Sequence, residues 1–277
     1  MHALMTLPSR RREPRRIAYV SLGILLAVTL IIAGFFPLLV GALDLLGIES
    51  AGEHALHDSA AALFVVTIAV LTLTSLRRPR VRPAHLGAII ISLALYLGIV
   101  GSAEPSQLAG DLIIVEILLA LAIVVGVLHP ARAQVFMPWR AERLERPGHV
   151  LLAVLAAVGL AAAMPYAADQ YRVQTLHGSD EHTEFQHWAS MAAFTVLSPV
   201  LLFLAAAGGR GYTGVGVAAA MFAVLLAALF LLRPDAVSAV AARWAALSVA
   251  WAFAVLGVLI YTLREPDTLD HDDRVNV

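Results

Sequence analysis

The sequence predicts an all-α, polytopic integral membrane protein with eight transmembrane helices arranged as two parallel four-helix repeats. Three observations carry that prediction. Hydrophobic residues make up 60% of the chain and charged residues 14%, against about 45–50% and 25% in an ordinary soluble domain. Eight apolar windows run over residues 17–43, 59–76, 86–101, 113–128, 150–167, 189–207, 215–232 and 239–263, most of them close to the ~20 residues a spanning helix needs. The last four windows repeat the first four at an offset of about 130 residues, and self-similarity on that scale marks a duplicated membrane fold.

The first window follows Arg10, Arg11, Arg12, Arg15 and Arg16 and superficially resembles a signal peptide. It is longer than a typical signal-peptide core, and its counterpart at 150–167 lies in mid-chain, so it is read as a retained first helix. The third and fourth windows are short and are expected to extend into their flanks. The expected organisation is an arginine-rich cytoplasmic leader (1–16), a first repeat (17–129), a cytoplasmic linker (130–148), a second repeat (149–264) and an acidic cytoplasmic tail (265–277). Gly208, Gly209, Gly211, Gly214 and Gly216 lead into the seventh window, where small residues let helices approach closely.

All nineteen basic residues are arginine. Without lysine the chain cannot form a Schiff base; without cysteine it has no disulfides and no thiolate ligands. Net charge is −1, which excludes a global field for nucleic acid and leaves the lipid bilayer as the expected partner. With eight spans, sixteen arginines fall on the side of the termini and three (Arg172, Arg233, Arg243) on the other. The positive-inside rule then makes both termini cytoplasmic in a plasma membrane. Arginine-only basic usage with abundant Ala, Val and Leu fits a GC-rich prokaryote.

Ionisable residues other than arginine concentrate in two loops on the outer face, Glu49 to Asp58 and His177 to Trp188. His57 and His187 open the second helix of each repeat. In the first loop Glu53 and His57, and likewise His54 and Asp58, stand four apart; in the second, Glu181, Glu184 and His187 stand three apart, so a helix starting at Ser179 or Asp180 places them on one face. Parallel repeats bring both faces to the same depth. Imidazole and carboxylate ligands of this kind suit Zn, Mn, non-haem Fe or Cu, and two facing histidines also suit a haem, though they lie shallow for one. Buried beside a carboxylate, such a histidine also serves as a pH-responsive latch.

Within the membrane, Glu116 in the fourth span requires a partner, and Arg243, at matching depth in the eighth, is the expected one: an ion pair joining the repeats. Trp188 and Trp244 are placed at the outer boundary and Trp251 in the bundle. His85, His129 and His149 lie at cytoplasmic helix ends, as snorkelling or C-capping groups.

Gly34-Phe35-Phe36-Pro37 late in the first helix, followed by His57-Asp58-Ser59-Ala60-Ala61-Ala62-Leu63-Phe64, resembles a family of uncharacterised bacterial and archaeal multi-helix membrane proteins. Met164-Pro165 and His187-Trp188-Ala189-Ser190-Met191-Ala192-Ala193-Phe194 repeat the pattern. The resemblance covers the first two helices of each half, and that family has fewer than eight spans. It implies a membrane fold and no particular activity. No phosphate-binding loop, serine triad or zinc-protease motif is present: Gly208-Gly209-Arg210-Gly211 lacks both the spacing and the lysine of a phosphate loop. The expectation is a non-enzymatic membrane protein whose outer histidine and carboxylate cluster binds a metal ion or senses protons in a transport or accessory role. The alternatives are a membrane metalloenzyme or haem protein using His57 and His187, and a structural partner in a larger membrane complex.

Overall fold

The structure, a computed structural model, describes residues 12–45, 54–103, 110–136, 144–176, 186–208 and 211–264. These are 89% helical and contain no strand. The helices are α1 (Arg12–Leu45), α2 (Ala55–Arg77), α3 (Pro83–Ala103), α4 (Gly110–Leu128), a short α5 (Arg132–Phe136), α6 (Pro147–Leu176), α7 (His187–Ala207), α8 (Tyr212–Leu232) and α9 (Ala242–Thr262). The leader up to residue 11 and the acidic tail from 265 lie outside the described residues.

Local chemistry sets the helix ends. α3 and α6 begin on Pro83 and Pro147, at the one helical position where a missing N–H costs nothing and a fixed φ helps. α7 ends on Gly208 in the left-handed region, φ 74°, its N–H donating to the Leu204 carbonyl, as helix-terminating glycines do. Pro37 lies inside α1 and Pro165 inside α6, at matching places in the two halves. The third window extends at both ends to give 21-residue α3, whereas α4 reaches only 19 residues. Seven described helices are long and apolar enough to cross a membrane, and α4 is the shorter apolar one.

The helices pack as two rings. Helix α1 packs on α2, α2 on α3, α3 on α4 and α4 back on α1; α6, α7, α8 and α9 close a second ring in the same order. The rings meet through α2 and α3 on one side and α7 and α8 on the other. Matched residues touch across this seam: His57 and His187 stack at 4.6 Å, and the Phe64 and Phe194 rings lie 5.4 Å apart. The members of each pair stand 130 residues apart in the sequence, and both pairs fall along the α2–α7 contact.

Burial is inverted with respect to a soluble fold. On α1 the stripe Ile17, Val20, Ile24, Val28, Ile31 and Phe35 is exposed at i, i+3/i+4 spacing, an apolar face far larger than a water-soluble monomer leaves open. In α7, by contrast, 78% of the central window is buried, against 17% in α6. α7 is thus the enclosed helix, and its amino-terminal end carries His187.

At the arginine end, small residues permit close crossing. A Cβ on Gly214 would fall on His85 Nε2, and one on Gly211 would stand 2.8 Å from Arg82 Cα. The histidines at this end are not snorkelling: His85, His129 and His149 are buried. His149 Nδ1 donates to the Ala206 carbonyl in the last turn of α7 at 2.9 Å, so the capping half of the expectation holds for that residue. His85 Nε2 donates to the Gly211 carbonyl (3.2 Å), leaving Nδ1 of the neutral ring to accept from Thr74 Oγ1 (2.7 Å). Burial pushes His129, just past α4, down to about 4 against the opposing pull of hydrogen bonds with Pro79 and Ala131.

Candidate functional site

At the opposite end, three histidines from the two halves converge. α2 begins at Ala55 with His54 at its N-cap, so His57 falls in its first turn and is buried. α7 begins on His187 itself, after Gln186, which at φ 56° is the one described non-glycine residue in the left-handed region. His54 Nδ1 and His187 Nδ1 lie 3.1 Å apart. The imidazoles of His57 and His187 stack at 4.6 Å with 12° between their planes, and Trp188 meets His57 edge-on at 6.0 Å.

The cluster is tied into the second ring. His57 Nε2 is 2.8 Å from Ser238 Oγ, in the segment leading into α9. The Ser238 carbonyl accepts a 2.6 Å hydrogen bond from Tyr166 Oη of α6. Asp58, half-buried, interacts electrostatically with His54 four residues before it. Below the histidines, Tyr96 Oη and Ser190 Oγ pair at 2.8 Å, and Tyr96 stacks with both Phe64 (5.4 Å) and Phe194 (5.6 Å). This aromatic floor closes the site on the membrane side.

The Nδ1–Nδ1 contact dictates its own chemistry. In a neutral pair one Nδ1 carries the hydrogen and the other accepts it. A proton taken up on the far nitrogen of the donor ring keeps the contact as a charge-assisted bond; only when both rings are protonated are both Nδ1 atoms donors and the bond lost. The contact therefore survives the first protonation and is lost at the second, with Asp58 placed to meet the charge on His54.

Of the anticipated ligands, His54, His57, Asp58 and His187 lie at this end, while Glu53, Glu181 and Glu184 fall outside the described residues. Among the described residues no group of three or more His, Asp or Glu side chains is arranged to hold a metal ion. The left-handed turn at Gln186 breaks any helix running into His187, so the expected continuous face from Glu181 through Glu184 to His187 is corrected. A haem between His57 and His187 is corrected as well, because rings stacked face to face at 4.6 Å leave no slot for a macrocycle.

The Glu116–Arg243 pair is not formed. Both residues are exposed, on α4 and α9, which belong to different rings and do not share the seam. Arg243 instead lies 6.0 Å from the Trp244 ring centroid. Matching depth in a repeat places two residues at one level without placing them at the seam.

Sequence reasoning did not foresee Ser238, Tyr166, Tyr96 or Gln186. The matched Phe64 and Phe194, each seven residues beyond its histidine, were the available signal for the floor. No protein-family model, curated protein or solved structure matches this chain.

Proposed function

We propose that this chain is an integral plasma-membrane protein of eight spans, α4 included, built as two parallel four-helix repeats with both termini on the cytoplasmic, arginine-rich side, and that its three-histidine cluster is a proton-responsive latch between the repeats. The single observation that carries the latch is the 3.1 Å Nδ1–Nδ1 contact of His54 with His187, one residue from each half. With at most one ring charged the pair shares a hydrogen and ties α2 to α7; with both charged, His54 turns from His187 to Asp58. His57, stacked on His187 and bonded to Ser238, adds a third imidazole that opposes the accumulation of charge. A sensing or accessory role at the membrane follows better than catalysis, since Phe64, Tyr96 and Phe194 close the cluster on one side.

The test is histidine-selective nitrogen-15 NMR of the reconstituted protein at pH 8 and pH 5. A hydrogen-bonded Nδ1 pair is expected at the higher pH, lost at the lower and absent in His54→Gln. The latch is refuted if the histidine signals of wild type and His54→Gln titrate alike.

One observation supports a metal ion as second reading. Two nitrogens ligating a tetrahedral ion at ~2.0–2.1 Å stand about 3.3 Å apart, close to the 3.1 Å seen. Stoichiometric Zn²⁺ uptake at neutral pH, abolished in both His54→Ala and His187→Ala, would select that reading over the latch.

A further inference from the structure

The amino-terminal turns of α1 place two neighbouring arginines in different surroundings. Arg15, though exposed, is held: its Nη2 donates to the Val127 carbonyl at the end of α4 at 2.8 Å. That bond satisfies a terminal carbonyl that α4 leaves open. Arg16, about 100° further round the helix, is exposed and makes no ion pair or hydrogen bond with a described residue. It lines an open, shallow surface depression together with Ile17, Val20 and Ser21 of the same helix. Beyond it the exposed stripe continues along α1 through Ile24, Val28 and Ile31.

A guanidinium and a hydroxyl at the head of an apolar stripe make up the chemistry that recognises a phosphodiester carrying acyl chains. Arginine's planar fork fits a phosphate bidentately, and Ser21 supplies a further donor. The stripe spans four turns of helix and offers an acyl chain continuous apolar contact. Arginine predominates at this end: Arg77 closes α2, Arg78, Arg80 and Arg82 follow it, and Arg132 and Arg146 lie in the linker region, against Glu13 three residues before Arg16 and Glu145 beside Arg146. Such a field favours an anionic headgroup over a zwitterionic one.

We infer that Arg16, with Ser21 and the Ile17–Val20 face of α1, binds the phosphate of an anionic glycerophospholipid. The inference rests on the membrane reading above, since only a chain set in a bilayer presents this face to lipid. Arg15 and Arg16 then divide the work at one helix end, the first holding α1 to α4 and the second holding lipid.

The full-length protein in nanodiscs, probed with spin-labelled phosphatidylglycerol and phosphatidylcholine, tests this. Wild type is expected to retain phosphatidylglycerol preferentially, and Arg16→Gln to lower that preference about fivefold, the equivalent of about 1 kcal/mol per surface arginine. Arg15→Gln is expected to lower thermal stability and leave lipid preference intact, and Arg80→Gln to change preference little. Equal retention of both lipids by wild type overturns the inference. So does an unchanged preference in Arg16→Gln, or an equal loss in Arg80→Gln, which would show a diffuse field instead of a site. Full competition by inorganic phosphate would assign the site to free phosphate and overturn it too. A chain that alkaline carbonate strips from membranes would instead refute the membrane reading itself.

Discussion

At Gly214 one hydrogen atom decides whether the seam closes. The His85 imidazole fills the space a Cβ would need, so Gly214→Ala should force His85 off Thr74 and Gly211 and destabilise the protein by about 1–3 kcal/mol, read as a lower denaturation midpoint in detergent. Gly98→Ala, with open space at its Cβ, is the matched control and should lose nothing comparable. His129 makes a prediction of a different kind. Its folded-state affinity for a proton is depressed to about 4 by burial, whereas an unfolded histidine takes one up near pH 6.5. The unfolded chain thus binds the proton first, and stability is full above about pH 6.5 and falls as pH drops towards 4. His129→Gln should flatten that slope in pH-dependent melting curves.

Among the elements, α2 and α7 hold the seam between the rings. Phe64 and Phe194 bring matched residues of the two into one aromatic cluster with Tyr96. Removing either ring should cost about 3–5 kcal/mol, and since they share one contact, the Phe64→Ala, Phe194→Ala double variant should cost less than the sum. Strict additivity in a thermodynamic cycle would show that the two rings do not act together. The placement of most elements was legible in the sequence, because uninterrupted apolar runs in lipid have no alternative to helix. The start of α7 was not. Gln186 in the left-handed region is a tertiary outcome: nothing in its residue type favours that conformation, and Glu181, Glu184 and His187 had suggested a helix running straight through.

Taken whole, the chain is two rings of four helices sharing one seam, and the proposed eight-span topology can be read directly. Reporter fusions at either terminus and in the linker after α5 should report one side of the membrane, and an insertion at Ala236 between α8 and α9 the other. A linker reporter facing away from both termini would break the parallel-repeat reading.

The sequence by itself determined the helical class and singled out His57 and His187, because hydropathy and spacing are properties of a chain read along its length. It also placed His54, His57 and Asp58 within one turn of each other. Only the tertiary structure decided which of these meet. It paired His54 with His187 and sent His57 to Ser238, 181 residues away. It also left Glu116 and Arg243 apart on exposed helices. The physical reason is that a repeat fixes depth along the axis, whereas contact depends on rotation of each helix about its own axis. That rotation is set by packing at the seam, by the small residues that let helices approach and the rings that fill what remains.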